Sequence, residues 1–249
     1  MAILIFLILH WYLSLFSQTF FLHRYSAHAM FSMSRASEKF FFIFTSLTQG
    51  SSYLSPYGYG VLHRMHHAFA DTEKDPHSPK YDKTAMAMMM RTKVVYQDVN
   101  KHRVEIAPEF TNGVPKWESF DTFASSWPVR LFWAAAYIAF YMVFEAEWWM
   151  YLFLPIHFLM GPIHGVVINW CAHKYGYRNF DVADTSKNFL PLDVLMMGES
   201  YHNNHHANGK NPNFGHKWFE LDPTYPVILL LDKLHIIRLK KYIVGQKAW

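Results

Sequence analysis

Cysteine is almost missing from this chain: Cys171 stands alone among 249 residues, so an intrachain disulfide framework is excluded. Charge is scarce too. Asp, Glu, Lys and Arg make up 17%, against about 25% in ordinary soluble proteins, while apolar residues reach 51%. The shortage is concentrated. Residues 1–23 and 148–173 carry no charged side chain, and each run exceeds the roughly 20 residues a helix needs to cross hydrocarbon. A third uncharged run, 131–144, can extend back across Pro128 and Val129. Long basic runs are lacking, which leaves no case for nucleic acid, and the net charge of +4 suits an anionic membrane surface. The first run has no basic start and leads directly into His23 without a small-residue cleavage site, so it reads as a retained span. Internal repeats and low-complexity tracts are also missing.

The remaining uncharged stretch, 40–62, is different in kind. Its second half, from Gln49 to Gly60, is rich in helix breakers and hydroxyls. If it crossed the bilayer, His28 and His63 would lie about 30 Å apart. It therefore reads as re-entrant or interfacial. With spans at 1–22, 128–145 and 148–170, regions 23–127 and 171–249 fall on one side. All 23 Lys and Arg lie at 24–130 or 174–247, which makes that side cytoplasmic by the positive-inside tendency. The expected fold is one all-α integral membrane domain, 1–249. It has about three transmembrane helices, one re-entrant or interfacial segment and a cytoplasmic helical cap.

Histidine is what the chain has in abundance. Sixteen are present, eight of them in three clusters: His23 and His28; His63, His66 and His67; His202, His205 and His206. The two HxxHH clusters place their imidazoles at i, i+3 and i+4, on one face of a helix. A lone histidine is usually a hydrogen-bonded packing residue, but three clusters at ligand spacing point to metal. Eight imidazoles exceed the four that close a tetrahedral site and suit two metals, which in turn implies oxygen chemistry. The i, i+5 spacing of His23 and His28 does not stack on an ideal helix, so the helix is expected to bend or fray there. Asn169 and His173, spaced i, i+4, bring an amide and a ninth imidazole to the same end. Asp71, Glu73, Asp75 and His77 can hold ligand imidazoles in one tautomer, or form a solvated turn. His10, His157 and His164 lie inside spans and read as packing or tunnel-lining groups. Met86 and Met88–Met90, beside Arg91 and Lys93, suit an acyl chain with an anionic carrier, or equally a surface helix with an apolar face.

The three boxes, with Asp75-Pro76-His77-Ser78 after the second and Gly198-Glu199-Ser200-Tyr201 leading into the third, resemble the membrane-bound fatty acid desaturases, in particular the acyl-CoA branch. The segment Asn169 to Arg178 is similar to the one that supplies that branch's ninth histidine. The resemblance covers essentially the whole chain. It implies two iron ions held by His23, His28, His63, His66, His67, His173, His202, His205 and His206, with Asn169 reaching one metal through water. It implies O2 and two electrons used to place a cis double bond in a fatty acyl chain carried by coenzyme A, acyl carrier protein or a lipid. No fused heme motif follows the third box, so electrons are expected from a separate ferredoxin, rubredoxin or cytochrome b5-like donor. A bacterial inner-membrane enzyme with its metals on the cytoplasmic side is expected. By residue matching, Leu7 and Trp11 lie near the floor of a hydrophobic acyl tunnel. The chain departs from the animal pattern in starting with the helix that leads into the first box, and in Val61-Leu62, where that pattern has an acidic and a basic residue.

Three other readings compete. A membrane di-iron hydroxylase uses similar clusters but yields an alcohol. A metal transporter would need its ligands along a path through the bilayer midplane, whereas the clusters gather at one end. The soluble carboxylate-bridged di-iron fold needs two ExxH motifs, and only Glu199-Ser200-Tyr201-His202 fits.

Overall fold

The structure, a computed structural model, describes residues 1–241, so the end of the expected region 171–249 lies outside the described residues. It is mostly helical. The first helix, α1 (Ala2–Phe16), inverts the pattern of a soluble amphipathic helix: Ile5, Ile8, Leu9 and Leu13 are exposed, whereas His10 and Ser14 are buried. Apolar outside and polar inside is the arrangement that hydrocarbon favours. The helix continues as wide π-type turns, Ser17–Ala27, where the His28 N–H donates to the His23 carbonyl at 3.1 Å. The expected bend or fray is absent. Bonding from i to i+5 brings residues five apart onto one face, which is what His23 and His28 need.

After a short strand β1 (Phe31–Met33), α2 (Arg35–Gln49) starts at Ser34, whose hydroxyl accepts from the Ser37 N–H at 3.1 Å, a cap stabilising by about 1 kcal/mol. It presents Phe40, Ile43 and Leu47 outward. Gly50 ends it at φ 52°, and any side chain there would collide with the Tyr137 hydroxyl. The chain turns through Ser51 and Ser52, and α3 (Pro56–Phe69) runs back, with Pro at its first turn and Ser55 as cap. His28 and His63 consequently meet, Nε2 to Nε2, at 2.9 Å. Both ends of the 40–62 segment thus lie together.

α4 (Ala85–Asn100), α5 (Pro108–Thr111) and α6 (Glu118–Ala124) follow, then α7 (Trp127–Val143). Past a 3-10 segment, Trp148–Phe153, come α8 (Leu154–Phe158) and α9 (Met160–Val166). Among the described residues one helix, Ala2–Ala27, is long and apolar enough alone to cross a membrane. Trp127–Val143 is shorter, and the expected third span is two helices, Trp148–Phe158 and Met160–Lys174, bent by 72°. Three straight spans are therefore not what the fold contains. Pro162 explains the bend, because it has no N–H for the Phe158 carbonyl, which instead accepts from the Ser51 hydroxyl at 3.2 Å. The Ser52 hydroxyl accepts from the Gly161 N–H at 3.0 Å, tying the turn after α2 into the same break.

A second wide turn, Val167–Cys171, leads into α10 (Ala172–Lys174). The cap is completed by α11 (His202–Ala207), α12 (Thr224–Lys233) and β2 (Ile237–Leu239), which pairs antiparallel with β1. That two-stranded sheet is the departure from the all-α expectation. It ties the C-terminal part of the cap to the loop after the first box, over a core of Phe20, Phe21, Phe31, Phe41, Phe42 and Ile237.

Candidate metal centre

The nine histidines converge from four elements into two adjoining groups. His23, His28, His63, His67 and His205 form one, and His66, His173, His202 and His206 the other; within each group the nearest ring nitrogens all lie within 4.8 Å of one another. Each HxxHH box is divided between the groups. At 100° per residue, positions i and i+4 diverge by 40° while i+3 falls 60° to the other side of i. So His63 and His67 join one group and His66 the other, while His202 and His206 join the second and His205 the first. The single shared face expected from spacing is thus a face with two edges.

The nitrogens that meet are Nε2 atoms. His23 faces His205 at 3.0 Å, His67 faces His63 at 3.0 Å and His205 at 2.9 Å, His66 faces His206 at 3.2 Å, and His173 faces His202 at 3.0 Å. Carboxylates decide what those atoms carry. His66 Nδ1 lies 2.9 Å from Asp75, His206 Nδ1 2.9 Å from Asp184, and His23 Nδ1 2.7 Å from Glu199. A neutral ring that donates from Nδ1 to a carboxylate presents a lone pair at Nε2, the atom a metal would bind. The His66 and His206 Nε2 atoms meet at 3.2 Å; burial disfavours a charge on His66 but Asp75 more than offsets it and raises its pKa, so a proton, or a metal ion in its place, would satisfy both nitrogens. Burial, followed by the neighbouring imidazoles, pushes His63, His67, His202 and His205 well below the usual histidine range, so these rings are neutral. Neutral, converging nitrogen donors with carboxylates behind them fit transition metals. Burial opposes ionisation of Asp75, but His66 beside it outweighs that and holds the carboxyl well below its ordinary range; His206 does the same for Asp184.

Several of these supports are remote in sequence. Glu199, from the segment before the third box, also accepts from Thr19 and from Arg24. Arg24 is fully buried, donates to Asp222 at 2.6 Å and to the Pro212 carbonyl at 3.1 Å, and stacks on Phe214 at 3.8 Å. Asp184 and Asn188 lie on the loop after α10. The Asn188 carbonyl oxygen accepts from the N–H groups of Asn203 and Asn204 at 3.1 and 3.2 Å, capping the helix that carries the third box. The Asn204 amide donates to Glu220 at 2.9 Å. Spacing signalled Asp75 alone among these; the others act across 15 to 198 residues.

The remaining candidates are placed as follows. Asn169 is half-buried in the wide turn four residues before His173. Asp71 accepts from Ser78 at 2.7 Å, Glu73 is exposed, and His77 is buried against the His66 ring with centroids 4.3 Å apart. Arg91 is held by Asp82 at 2.6 Å and by the Asp75 and Ser78 carbonyls, so it fastens the loop after the second box; Lys93 is exposed. Leu7 and Trp11 are half-buried, with the Trp11 indole donating to the Leu195 carbonyl at 3.0 Å.

A membrane-type helix leading into a buried, carboxylate-backed cluster of nine imidazoles defines a class of metal-dependent oxidoreductase. The family model of the fatty acid desaturases matches residues 1–238, and the chain belongs to that family. It is 28% identical over 248 residues to the delta-9 desaturase-like 5 protein of Arabidopsis thaliana, covering 93% of this chain and 75% of that one. It is 26% identical to an sn-1 stearoyl-lipid 9-desaturase of Anabaena variabilis (92% and 79% covered) and 26% identical to an acyl-CoA 5-desaturase of Anemone leveillei (88% and 65%). The chain is thus an oxidoreductase of fatty acyl substrates, of a family whose reaction is O2-dependent desaturation.

Proposed function

We propose that this enzyme introduces a cis double bond into a long saturated acyl chain, with two irons held by the two histidine groups and Asn169 reaching one of them through water. The observation that supports this most is the convergence of nine imidazoles into two adjoining groups, in a chain of the desaturase family. Iron bound there would supply the oxygen activation and electron transfer that cleavage of unactivated carbon–hydrogen bonds requires. The protein's part is to hold and to exclude. Glu199, Asp75 and Asp184 fix the ring tautomers and orientations, and Arg24 pairs with both buried carboxylates, Glu199 and Asp222. Burial keeps water from the centre: of the nine imidazoles, seven are no more than 5% exposed. The histidine groups lie on the cytoplasmic side, where the basic residues gather, and receive electrons from a separate ferredoxin, rubredoxin or cytochrome b5-like donor. An anionic acyl carrier meets the exposed Lys93 and the outer edge of Arg91, and the chain's methyl end lies near Leu7 and Trp11. Trp11→Ala is expected to shift product toward longer acyl chains.

The test is the fatty acid profile of a bacterial host expressing the chain, beside one expressing His205→Ala. A new monounsaturated acid made only with the unmutated chain supports the reading, and derivatisation locates the bond. A hydroxylated lipid would replace it with the hydroxylase. Identical profiles from iron-loaded protein supplied with a reductant would reject both.

A further inference from the structure

A second polar region, away from the nine histidines, runs through the apolar half of the molecule. On α1 and the wide turns that continue it, His10, Ser14 and Gln18 recur every four residues on one buried face, away from the exposed Ile5, Ile8 and Leu9, with α2 and α9 packed against α1. At the far end, His10 Nδ1 lies 2.7 Å from His157 Nδ1, and His157 Nε2 lies 3.0 Å from the Tyr141 hydroxyl. Tyr141 packs by the half-buried Tyr151, with ring centroids 5.5 Å apart, near the turn whose charged residues are the exposed Glu145 and Glu147. At the near end Thr19, beside Gln18, bonds the Glu199 carboxylate that holds His23.

Between these ends the buried polar atoms lack partners. Ser14 Oγ, Gln18 Oε1, Thr45 Oγ1, Gln49 Nε2 and both ring nitrogens of His164 make no hydrogen bond among the described residues. His10 Nε2 points toward the Thr48 backbone without a bond of good geometry. His164 meets the Trp11 ring edge-on at 4.5 Å and lies within electrostatic reach of both His10 and Glu199. Orphaned buried polar atoms each cost about 1–3 kcal/mol, so this many of them on the elements around one helix face implies ordered water as partner.

We infer that the buried face of α1 binds a file of water molecules, and that Tyr141, His157 and His10 relay protons along it to the pocket beside the histidine groups. This rests on the desaturase reading. Forming one double bond takes O2, two electrons, two protons from solvent and two hydrogens from the acyl chain, and releases two waters, so a buried centre needs a proton route. The hydrogen-bonded series supplies one. With the Tyr141 hydroxyl donating to His157 Nε2, and His157 Nδ1–H donating to His10 Nδ1, the remaining hydrogen sits on His10 Nε2, buried beside the Thr48 backbone without a bond of good geometry. A proton arriving at Tyr141 releases another from His10 by exchange of ring tautomers. Glu145 and Glu147 stand where protons would enter from solvent.

Hydroxyl-radical footprinting of the purified, iron-loaded protein in lipid nanodiscs tests the hydration directly and without turnover. Rapid labelling of His10 and His164, with the equally buried Phe20 and Phe21 unlabelled, supports the file; no labelling at the two overturns it. For the relay, His157→Phe at unchanged iron content should slow a single turnover by about tenfold to a hundredfold and raise the solvent deuterium isotope effect, with His157→Gln partly restoring the rate. Tyr141→Phe, which removes one hydroxyl, serves if the first variant does not fold. An unchanged rate and isotope effect would refute the relay. Protection of the labelled residues by a hydroxylated acyl chain, with faster turnover of it, would instead make this a substrate subsite. Wild-type protein that is labelled but forms no alkene would separate failure of the desaturase reading from failure of the file.

Discussion

Two histidine populations occupy this molecule, and what backs each ring distinguishes them. In the cap, three imidazoles are pinned at Nδ1 by the carboxylates of Glu199, Asp75 and Asp184, and each presents Nε2 to another imidazole. In the apolar half, His10 and His157 meet through Nδ1 and no carboxylate bonds either ring. The carboxylate makes a ring a fixed, electron-rich donor suited to a metal. A ring bonded only to other neutral groups stays free to change tautomer, which suits proton exchange. The same side chain thus serves two purposes according to its second nitrogen.

The comparison breaks most visibly at Glu199. Glu199→Ala should free His23 and leave Arg24 with one buried partner; removing one partner of a buried ion pair costs about 3–5 kcal/mol. Loss of bound iron together with a strongly lowered melting temperature is expected from metal analysis and calorimetry. Asp75→Asn and Asp184→Asn are subtler, because the ring keeps a neighbour but loses its charged acceptor. Iron affinity should fall about 10–100-fold in competitive chelator titration while the fold persists. His157→Phe sharpens the contrast from the other side, since iron content should match the unmutated protein. Should His157→Phe lose iron as Asp75→Asn does, carboxylate backing would not be what separates the populations.

The smallest expected effect concerns a carboxyl without an imidazole. Asp121 accepts from the Tyr53 hydroxyl at 2.5 Å, and burial pushes it up to about 6 from 3.8. Below pH 3.8 both folded and unfolded states hold the proton. As pH rises toward 6 the unfolded chain releases it first, so stability is lost across that window. Asp121→Asn should flatten this part of the melting-temperature profile, whereas a pH-independent offset would show that Asp121 does not titrate there.

Much of the cap's histidine set was legible, because HxxHH and the Asn169–His173 pair are local patterns read by helical periodicity. The division of each box between two groups follows from the same 100° rotation, yet it becomes visible only when α3 and α11 face each other. His23 and His28 were harder: their spacing fits no α-helix, and the wide turns of Ser17–Ala27 have no simple sequence mark. Glu199, Asp184, Arg24 and Asn188 stayed hidden because their partners lie far along the chain. The expected third span rested on its apolar run and took no account of Pro162; Ser51, whose hydroxyl donates to the freed Phe158 carbonyl, comes from 107 residues away.

The central claim is that the two groups each hold one iron. Iron per chain, with Mössbauer spectra, should be measured for the unmutated protein, for His67→Ala from the five-histidine group and for His202→Ala from the four-histidine group. The account predicts two irons in distinguishable environments, with each variant losing a different component first. A single iron, or equal loss of both components from either variant, would contradict it.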